Sequence, residues 1–207
     1  MKKKEVLVLL SGGLDSPVCC YKLIKAGYQV SLIHFHNLTA SSQGVEEKIT
    51  DLRDALQKYQ KNIPLYMIPF GPLQRELIKT VPAKKRMIIY RRFMFRIAEK
   101  IAKGDLATGD SLAQVASQTL DNMHVIYSAT KKKVLHPLIG SDKKEIIAQA
   151  QEIGTYEISI RPYEDCCTFL VADRPETHGN LEEIEQIEQG IDVEKLVTQA
   201  VKAKKLT

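Results

Sequence analysis

The sequence predicts an α/β protein with five parallel strands in one sheet and helices on both faces of that sheet. Short apolar, β-branched runs alternate along the chain with segments whose apolar residues recur at the helical period. Such alternation is typical of parallel strands joined by crossover helices. The chain has 207 residues, a length at which one hydrophobic core is normally complete. We therefore expect a single main domain.

Each element is predicted from its own pattern, in chain order. Strands are predicted from apolar runs over residues 6–10, 30–35, 65–69, 106–109 and 134–139. Helical periodicity predicts helices over residues 17–26, 45–59, 87–103 and 113–123. A further helix is predicted over residues 142–153, because Asp142 suits its N-cap and Gly154 follows its end.

The composition changes after residue 171. Residues 172–180 are rich in polar and turn residues, whereas residues 181–206 carry apolar residues between charges. This pattern predicts a polar linker followed by a helical tail in which Gly190 separates two helices. We therefore divide the chain into a domain over residues 1–171 and an appendage over residues 172–207.

The composition also excludes several classes of protein. Hydrophobic residues make up 44% of the chain and charged residues 27%, which excludes a disordered or collagen-like chain. No apolar run reaches the roughly 18 residues that a membrane span requires, so we expect no membrane partner. The four cysteines form two adjacent pairs, which are too few for a disulfide scaffold. We expect a cytoplasmic protein.

One loop between the first strand and Pro17 carries the clearest chemical signal, with the sequence SGGLDS over residues 11–16. Proline favours the first helical turn, so the loop is expected to open a helix. Three features predict a phosphate cradle: glycines that let the backbone approach an anion closely, N–H groups at a helix start, and two serine hydroxyls. Asp15 can reach a Mg²⁺ ion that bridges the phosphates. The loop matches neither GxxxxGKS/T nor GxGxxG.

The loop resembles the PP-loop, SGGxDS, of ATP pyrophosphatases in the adenine-nucleotide α-hydrolase-like superfamily, whose fold is Rossmann-like. Further segments are similar to the synthase domain of ThiI-type tRNA 4-thiouridine synthases, and the match covers roughly residues 6–167. These segments are HFHN at 34–37, RRFM at 91–94, TGDSLAQVASQTL at 108–120, PLIG at 137–140, GTYEIS at 154–159 and EDCC at 164–167. Asp110 and His136 stand where the family usually has Glu and Arg.

The resemblance implies a nucleotide site and two kinds of catalytic residue. ATP would contact Leu9, Leu10, Ser11, Gly12, Gly13, Asp15, Ser16, His34, Phe35, Arg91, Gly109 and Gln118. Asp15 would serve adenylation, and Lys143 would neutralise charge as the phosphates separate. Sulfur transfer needs a persulfide-bearing thiolate that a second thiol later resolves. The family's sulfur-handling cysteine aligns best with Cys166, and its neighbour Cys167 is the alternative carrier.

The implied activity is an ATP-dependent sulfurtransferase that releases pyrophosphate and converts uridine 8 of tRNA to 4-thiouridine. Thiamine biosynthesis is a second role to consider. The sulfur would come from a cysteine desulfurase or a rhodanese-type donor. Since the chain begins at its first strand, we expect a stand-alone catalytic domain without THUMP or rhodanese modules. Two alternatives stay open: a nucleotide-binding sensor of the same superfamily, and an amide- or nitrile-forming PP-loop ligase.

A basic cluster next to the predicted active site is a candidate tRNA surface. Its members are Lys84, Lys85, Arg86, Arg92 and Arg96, and aromatic residues lie among these charges. The formal net charge is only +5, so we expect weak, salt-sensitive tRNA binding by the chain alone. Dimerisation or a separate RNA-binding protein would supply the remaining affinity.

Overall fold

The computed structural model describes residues 3–37, 43–112, 114–162 and 166–207. These residues form one six-stranded sheet with the strand order β5-β4-β1-β2-β3-β6. The strands are β1 (Glu5–Leu9), β2 (Gln29–His36), β3 (Leu65–Pro69), β4 (Asp105–Ala107), β5 (Val134–Leu135) and β6 (Lys205–Leu206).

The five predicted strands are parallel, which confirms the predicted arrangement. The sixth strand, β6, pairs antiparallel with β3 and was missed because two residues at the chain end carry no periodicity. The last predicted strand, over residues 134–139, stops instead at Leu135. Pro137 follows closely, and proline has no N–H group to donate to a neighbouring strand.

Helices cover both faces of the sheet. Among the described residues they are α1 (Asp15–Lys25), α2 (Gln43–Leu56), α3 (Gly71–Leu77), α4 (Arg86–Ile101), α5 (Leu120–Tyr127), α6 (Lys143–Glu152), α7 (Tyr156–Ser159), α8 (Leu181–Gln189) and α9 (Val193–Lys202). Side chains of β1 alternate between two cores: Val6 and Val8 pack with α1, α2 and α6, whereas Leu7 packs with α4. None of the described helices is long and apolar enough to cross a membrane.

The helix predicted over residues 113–123 is wrong in its first half. Ala113 lies outside the described residues, and a short 3-10 turn occupies Ala116–Gln118. The α-helix begins only at Leu120, because the side chain of Thr119 caps it by accepting a hydrogen bond from Asn122 N. At α6, by contrast, Asp142 is the N-cap as predicted and accepts from Lys144 N at 2.8 Å.

The tail packs on α4, and Gly190 lies between its two helices as predicted. Glu188 of α8 accepts hydrogen bonds from Arg92 Nε (2.9 Å) and Nη2 (2.8 Å) and from both terminal nitrogens of Arg96 (2.6 Å each). The Arg92 side chain is only 2% exposed. The tRNA-binding role predicted for Arg92 is therefore wrong, because its guanidinium is buried and fastens the tail to α4. The boundary at residue 171 stays a prediction.

The rest of the basic cluster is also mostly engaged within the protein. Lys85 Nζ donates to Glu176 (3.1 Å) and Glu183 (2.6 Å). Arg86 donates to three backbone carbonyls, at 2.6 to 3.3 Å. Lys84 is exposed. Most of the cluster is thus bonded within the protein, and contact of Lys84, Lys85, Arg86 and Arg96 with RNA stays a prediction.

The strand order places a topological switch point in the sheet. The chain runs from β1 outward to β2 and β3 and then returns to β4 on the other side of β1. In open α/β sheets, ligands bind beyond the carboxyl ends of the strands at such a point. The loops after β1 and β4 are therefore the expected walls of a ligand cleft.

Candidate active site

A cleft lies at this edge of the sheet and contains most of the residues assigned to the nucleotide. Ten of the twelve line it: Leu9, Leu10, Ser11, Asp15, Ser16, His34, Phe35, Arg91, Gly109 and Gln118. The two cysteines of the EDCC segment, Cys166 and Cys167, line the same cleft. Gly12, Gly13 and Lys143 are not among the lining residues.

The loop after β1 is held in shape by its own serines. Ser11 N donates to Ser16 Oγ at 3.0 Å, the two hydroxyls are 3.2 Å apart, and Gly13 N donates to Ser11 Oγ at 3.3 Å. Gly12 has φ of +87°, a backbone conformation that favours glycine. The helix α1 starts at Asp15, so its first N–H groups lie at the end of this loop.

The loop after β4 packs directly against the start of α1. A Cβ atom added at Gly109 would lie 2.8 Å from Asp15 C and from Ser16 N. These are backbone atoms, which cannot turn aside as the end of a flexible side chain could. Only glycine at this position allows the two walls of the cleft to approach so closely.

A buried histidine, His34, lines the cleft. His34 Nδ1 lies 2.7 Å from the Leu10 carbonyl oxygen, and since a carbonyl can only accept, Nδ1 carries the proton. Burial lowers the pKa of His34 to about 4, although the carbonyl partner acts in the opposite direction. The ring is therefore neutral at physiological pH.

A carboxylate that sequence reasoning did not assign lies at the centre of the cleft wall. Asp110 Oδ2 accepts from Arg91 Nη2 (2.5 Å), from Thr108 Oγ1 (2.7 Å) and from the Tyr127 hydroxyl. Its other oxygen, Oδ1, accepts from Gln118 Nε2 at 3.2 Å. Burial alone would raise the pKa of Asp110, but Arg91 and the other donors lower it to about 2. Asp110 is thus ionised and fixes the orientation of two side chains assigned to ATP.

The same network affects Arg91. Burial alone would lower its pKa, but the charge of Asp110, followed by Tyr127 and a hydrogen bond, raises it well above the usual value. The interaction of Arg91 with Cys167 acts in the same direction. The guanidinium is therefore a permanent cation between the buried carboxylate and the cysteine segment.

Gln118, which lines the cleft, carries an unsatisfied acceptor. Its side chain is 9% exposed, and its amide nitrogen is occupied by Asp110. Its oxygen, Oε1, is buried and has no hydrogen-bond partner. Buried polar atoms are normally paired, so this oxygen is a candidate acceptor for a hydrogen bond from a ligand.

Asp15 and Lys143 come together at the mouth of the loop, 128 positions apart in the sequence. Lys143 Nζ donates to Asp15 Oδ1 at 2.7 Å and to Gln114 Oε1 at 3.4 Å. Both side chains are partly exposed. The ion pair holds the Lys143 ammonium beside the first residue of α1.

The cysteine segment is anchored beside Phe35. The thiol of Cys166 donates to the Phe35 carbonyl oxygen at 3.2 Å and is only 4% exposed. The fully buried Gln74 of α3 donates its amide to the Cys166 carbonyl oxygen at 2.7 Å. Cys167 is half-buried, and its sulfur lies 4.0 Å from Met94 Sδ. Glu164 and Asp165, their neighbours in the sequence motif, lie outside the described residues.

Sequence reasoning missed Asp110, Tyr127 and Gln74 as parts of this site. Asp110 lies inside a quoted motif segment, so its position beside Gly109 was an available signal. Tyr127 and Gln74 gave no signal, because each meets its partner only through the packing of α5 and α3. No group of three or more His, Cys, Asp or Glu side chains suited to a metal occurs among the described residues.

Several known proteins are similar to this chain. The family model described as thiamine biosynthesis protein (ThiI) matches residues 1–193. A curated protein of Thermus thermophilus, described as a probable tRNA sulfurtransferase, is 44% identical over 206 residues. That match covers 98% of this chain and 51% of the relative. The chain thus spans about half the length of the curated relative it matches.

Solved structures with a similar fold include two whose descriptions name RNA or tRNA. A 4-thiouridine synthetase in complex with RNA and with bound ATP has a TM-score of 0.92 and 41% identity, over 99% of this chain and 55% of that chain. The U34-tRNA thiolase NcsA from Methanococcus maripaludis has a TM-score of 0.55 and 17% identity, over 96% of this chain and 70% of that chain. The second likeness shows the fold alone. Together they confirm the predicted Rossmann-like fold of PP-loop proteins.

Proposed function

The chain belongs to the ThiI family, and from that premise we propose that it is the catalytic part of an ATP-dependent tRNA sulfurtransferase. The acceptor would be uridine 8 of tRNA and the product 4-thiouridine. The observation that carries the proposal is the meeting of three separate groups at one cleft: the PP-loop, the Asp110 network and the cysteine pair. A nucleotide site needs only the first two. The cysteines add a sulfur carrier.

The polar groups of the cleft suit the parts of an ATP molecule. Gly109, which lacks a Cβ, lets the loop after β4 pack directly against the start of α1, beside which the phosphates would bind. The unpaired Oε1 of Gln118 can accept a hydrogen bond from a ribose hydroxyl or from the adenine amino group. Arg91 and the N–H groups at the start of α1 supply positive charge for the phosphates. The structurally similar 4-thiouridine synthetase has ATP bound, by its description.

In the adenylation step, the O4 atom of the uracil attacks the α-phosphate and pyrophosphate leaves. Asp15 and Lys143, which form an ion pair of 2.7 Å, would lie beside the leaving phosphates. Lys143 would neutralise negative charge that grows on the pyrophosphate. A Mg²⁺ ion bound to the phosphates would add to that neutralisation, and Asp15 is the residue that would hold it. One carboxylate with phosphate oxygens is a normal donor set for Mg²⁺.

In the sulfur step, the outer sulfur of a Cys166 persulfide attacks C4 of the uracil and AMP leaves. Cys166 lines the ATP cleft, and its position is fixed from both sides by Phe35 and Gln74. A cysteine desulfurase or a rhodanese-type protein would load the sulfur. These donors act in the cytoplasm, where the four free cysteines of the chain stay reduced.

Binding of tRNA would require help from outside this chain. Four of the five basic residues predicted to contact tRNA form hydrogen bonds or ion pairs with other groups of the protein. Little of the basic cluster is therefore available for phosphates. We propose that a dimer or an additional RNA-binding module supplies the affinity. A partner of this kind raises the effective concentration of tRNA at the cleft.

The test is a set of reactions with ATP, a persulfide donor and tRNA. We expect AMP and pyrophosphate as products together with thiolated tRNA, since the loop lacks the lysine of GxxxxGKS/T proteins. Cys166→Ser should still release pyrophosphate but give no thiolated tRNA. ADP as the main product would contradict the proposal. Tight ATP binding with no pyrophosphate release would favour the nucleotide-binding sensor instead.

A further inference from the structure

The sequence motif GTYEIS at residues 154–159 contributes no residue to the function proposed above. It forms the turn after α6 and the short helix α7. At the turn, the fully buried Thr155 donates its backbone N–H to the Ala150 carbonyl oxygen at 2.9 Å. The turn is thereby packed on the end of α6, the helix that begins at Lys143.

The far end of this motif contacts the PP-loop. The Ser159 hydroxyl donates to the Gly13 carbonyl oxygen in a long hydrogen bond of 3.5 Å, although the two residues lie 146 positions apart. Ser159 is buried. Gly13 lies just before Asp15 in the sequence, and Asp15 pairs with Lys143 at 2.7 Å. The PP-loop, α6 and α7 thus form a closed ring of contacts that includes the Asp15–Lys143 ion pair.

A buried lysine on another helix binds the end of α7. Lys48 of α2 is only 2% exposed. Its Nζ atom donates to the carbonyl oxygens of Ser159 and Arg161, each at 2.8 Å. The last carbonyls of a helix lack partners within the helix, and a lysine side chain can supply the missing donor. Lys48 therefore fixes α7 at the same residue, Ser159, that contacts the PP-loop.

A second contact between α2 and this segment is of a different kind. Asp51 lies about one turn after Lys48 on α2 and accepts a hydrogen bond from the Arg161 guanidinium. Both side chains of this ion pair are more than a third exposed. Exposed ion pairs contribute little to stability, because water screens them. Lys48 is therefore the contact expected to hold α7, and Asp51 offers a matched control.

We propose that Lys48 is a positioning residue for the release of pyrophosphate, an inference that rests on the function proposed above. By fixing α7, Lys48 keeps Gly13 and the following residues of the PP-loop in place relative to α6. That arrangement holds Asp15 and Lys143 together beside the leaving phosphates. Lys48 does not line the cleft, so it acts through α7.

Replacing Lys48 by Met keeps an unbranched side chain of similar length but removes the donor from both carbonyl oxygens. The end of α7 should then shift, and the PP-loop should shift with it. A misplacement of about 1 Å can cost about 10²-fold in rate, so we expect kcat for pyrophosphate release to fall by about 10- to 100-fold. Arg91 and Gln118 lie on other elements, so the Kd for ATP should change by less than about threefold.

The experiment measures pyrophosphate release by the full chain with ATP and a tRNA transcript. Titration calorimetry measures ATP binding, and mass spectrometry follows hydrogen exchange. Wild type is compared with Lys48→Met, with Ser159→Ala and with the control Asp51→Ala. A further variant is Lys48→Arg, whose guanidinium can donate to the same two carbonyls. Circular dichroism checks each fold, and rates are measured well below the lowest melting temperature.

We expect Lys48→Met to lower kcat while ATP affinity stays near that of wild type. Amides of residues 11–16 should exchange faster in this variant, whereas those of α4 should exchange as in wild type. Lys48→Arg should recover part of the lost kcat, and Asp51→Ala should match wild type. The effects of Lys48→Met and Ser159→Ala should be less than additive, because both act through the same contact with Gly13.

A wild-type kcat in Lys48→Met would overturn the inference. So would hydrogen exchange that is faster in α4 as well as in the PP-loop, because that result marks a general loss of stability. If Lys48→Met does not fold, Ser159→Ala decides the question: a lowered kcat with normal ATP affinity supports the inference, and an unchanged kcat overturns it. If wild type itself releases no pyrophosphate, the proposed function fails, and the inference falls with it.

Discussion

Replacing Glu188 by Ala should destabilise the protein strongly, because this carboxylate is the shared partner of two arginines on α4. Glu188 is 8% exposed, Arg92 2% and Arg96 20%. In Glu188→Ala the buried guanidinium of Arg92 keeps its bonds to Val125 O and Ser128 Oγ but loses its counter-ion. Breaking a buried ion pair by removing one partner costs about 3–5 kcal/mol.

The free energy of unfolding, measured with urea, should fall by about that amount. For a chain of this size the melting temperature should fall by about 6–20 °C. The matched control is Glu185→Ala on the same helix, where the glutamate is exposed and the change should be within about 0.5 kcal/mol. Equal stability of the two variants would refute the reasoning that α8 is fastened through this network.

The same network predicts a dependence on pH. Burial alone would raise the pKa of Glu188, but Arg96 and Arg92 together hold it below its usual value. A carboxylate with a lowered folded-state pKa stabilises the protein fully above its unfolded value, about 4.3. That stabilisation is lost as the pH falls below this value and through the folded-state pKa. Glu188→Ala should therefore remove part of the acid sensitivity of wild type, measured as urea midpoints between pH 7 and pH 3.

Three further predictions concern the cleft. Asp15→Asn should lower the rate of pyrophosphate release by about 10²-fold or more with the melting temperature little changed, and an equally active variant would remove Asp15 from the mechanism. Gly109→Ala should cost about 1–3 kcal/mol in stability or ATP binding because its Cβ would clash with the backbone of α1, whereas Gly140→Ala, whose Cβ meets no atom within 4 Å, should behave as wild type in calorimetry. Gln118→Ala should raise the Kd for ATP by about 2- to 12-fold through loss of one hydrogen bond, and an unchanged Kd in titration calorimetry would show that Oε1 faces no ligand donor.

The sequence predicted those parts of the fold whose signals are local. The five parallel strands follow from short apolar runs, and the start of α6 follows from the capping of Lys144 N by Asp142. The strand β6 could not be predicted, because it exists only through its pairing with Tyr66 and Met67 of β3. The late start of α5 follows from Thr119, a cap signal that the wider helical pattern obscured.

The candidate site likewise has parts that the sequence predicts and parts that it does not. Residues of the PP-loop are adjacent in the sequence, so their order alone carries the prediction. The basic cluster shows the opposite case: Arg92 and Arg96 form a cationic stripe on α4, but their partner Glu188 lies more than 90 positions away. Charge on a predicted helix indicates a surface only when no distant carboxylate packs against it. Long-range packing also brings the Gln74 amide to the carbonyl oxygen of Cys166.

The most direct test of the account is the nucleoside content of tRNA from cells with and without this gene, measured by mass spectrometry. We predict that 4-thiouridine disappears when the gene is deleted. It should return when the wild-type gene is restored but not when the Cys166→Ser variant is supplied at the same protein level. Undiminished 4-thiouridine in the deletion strain would contradict the central claim.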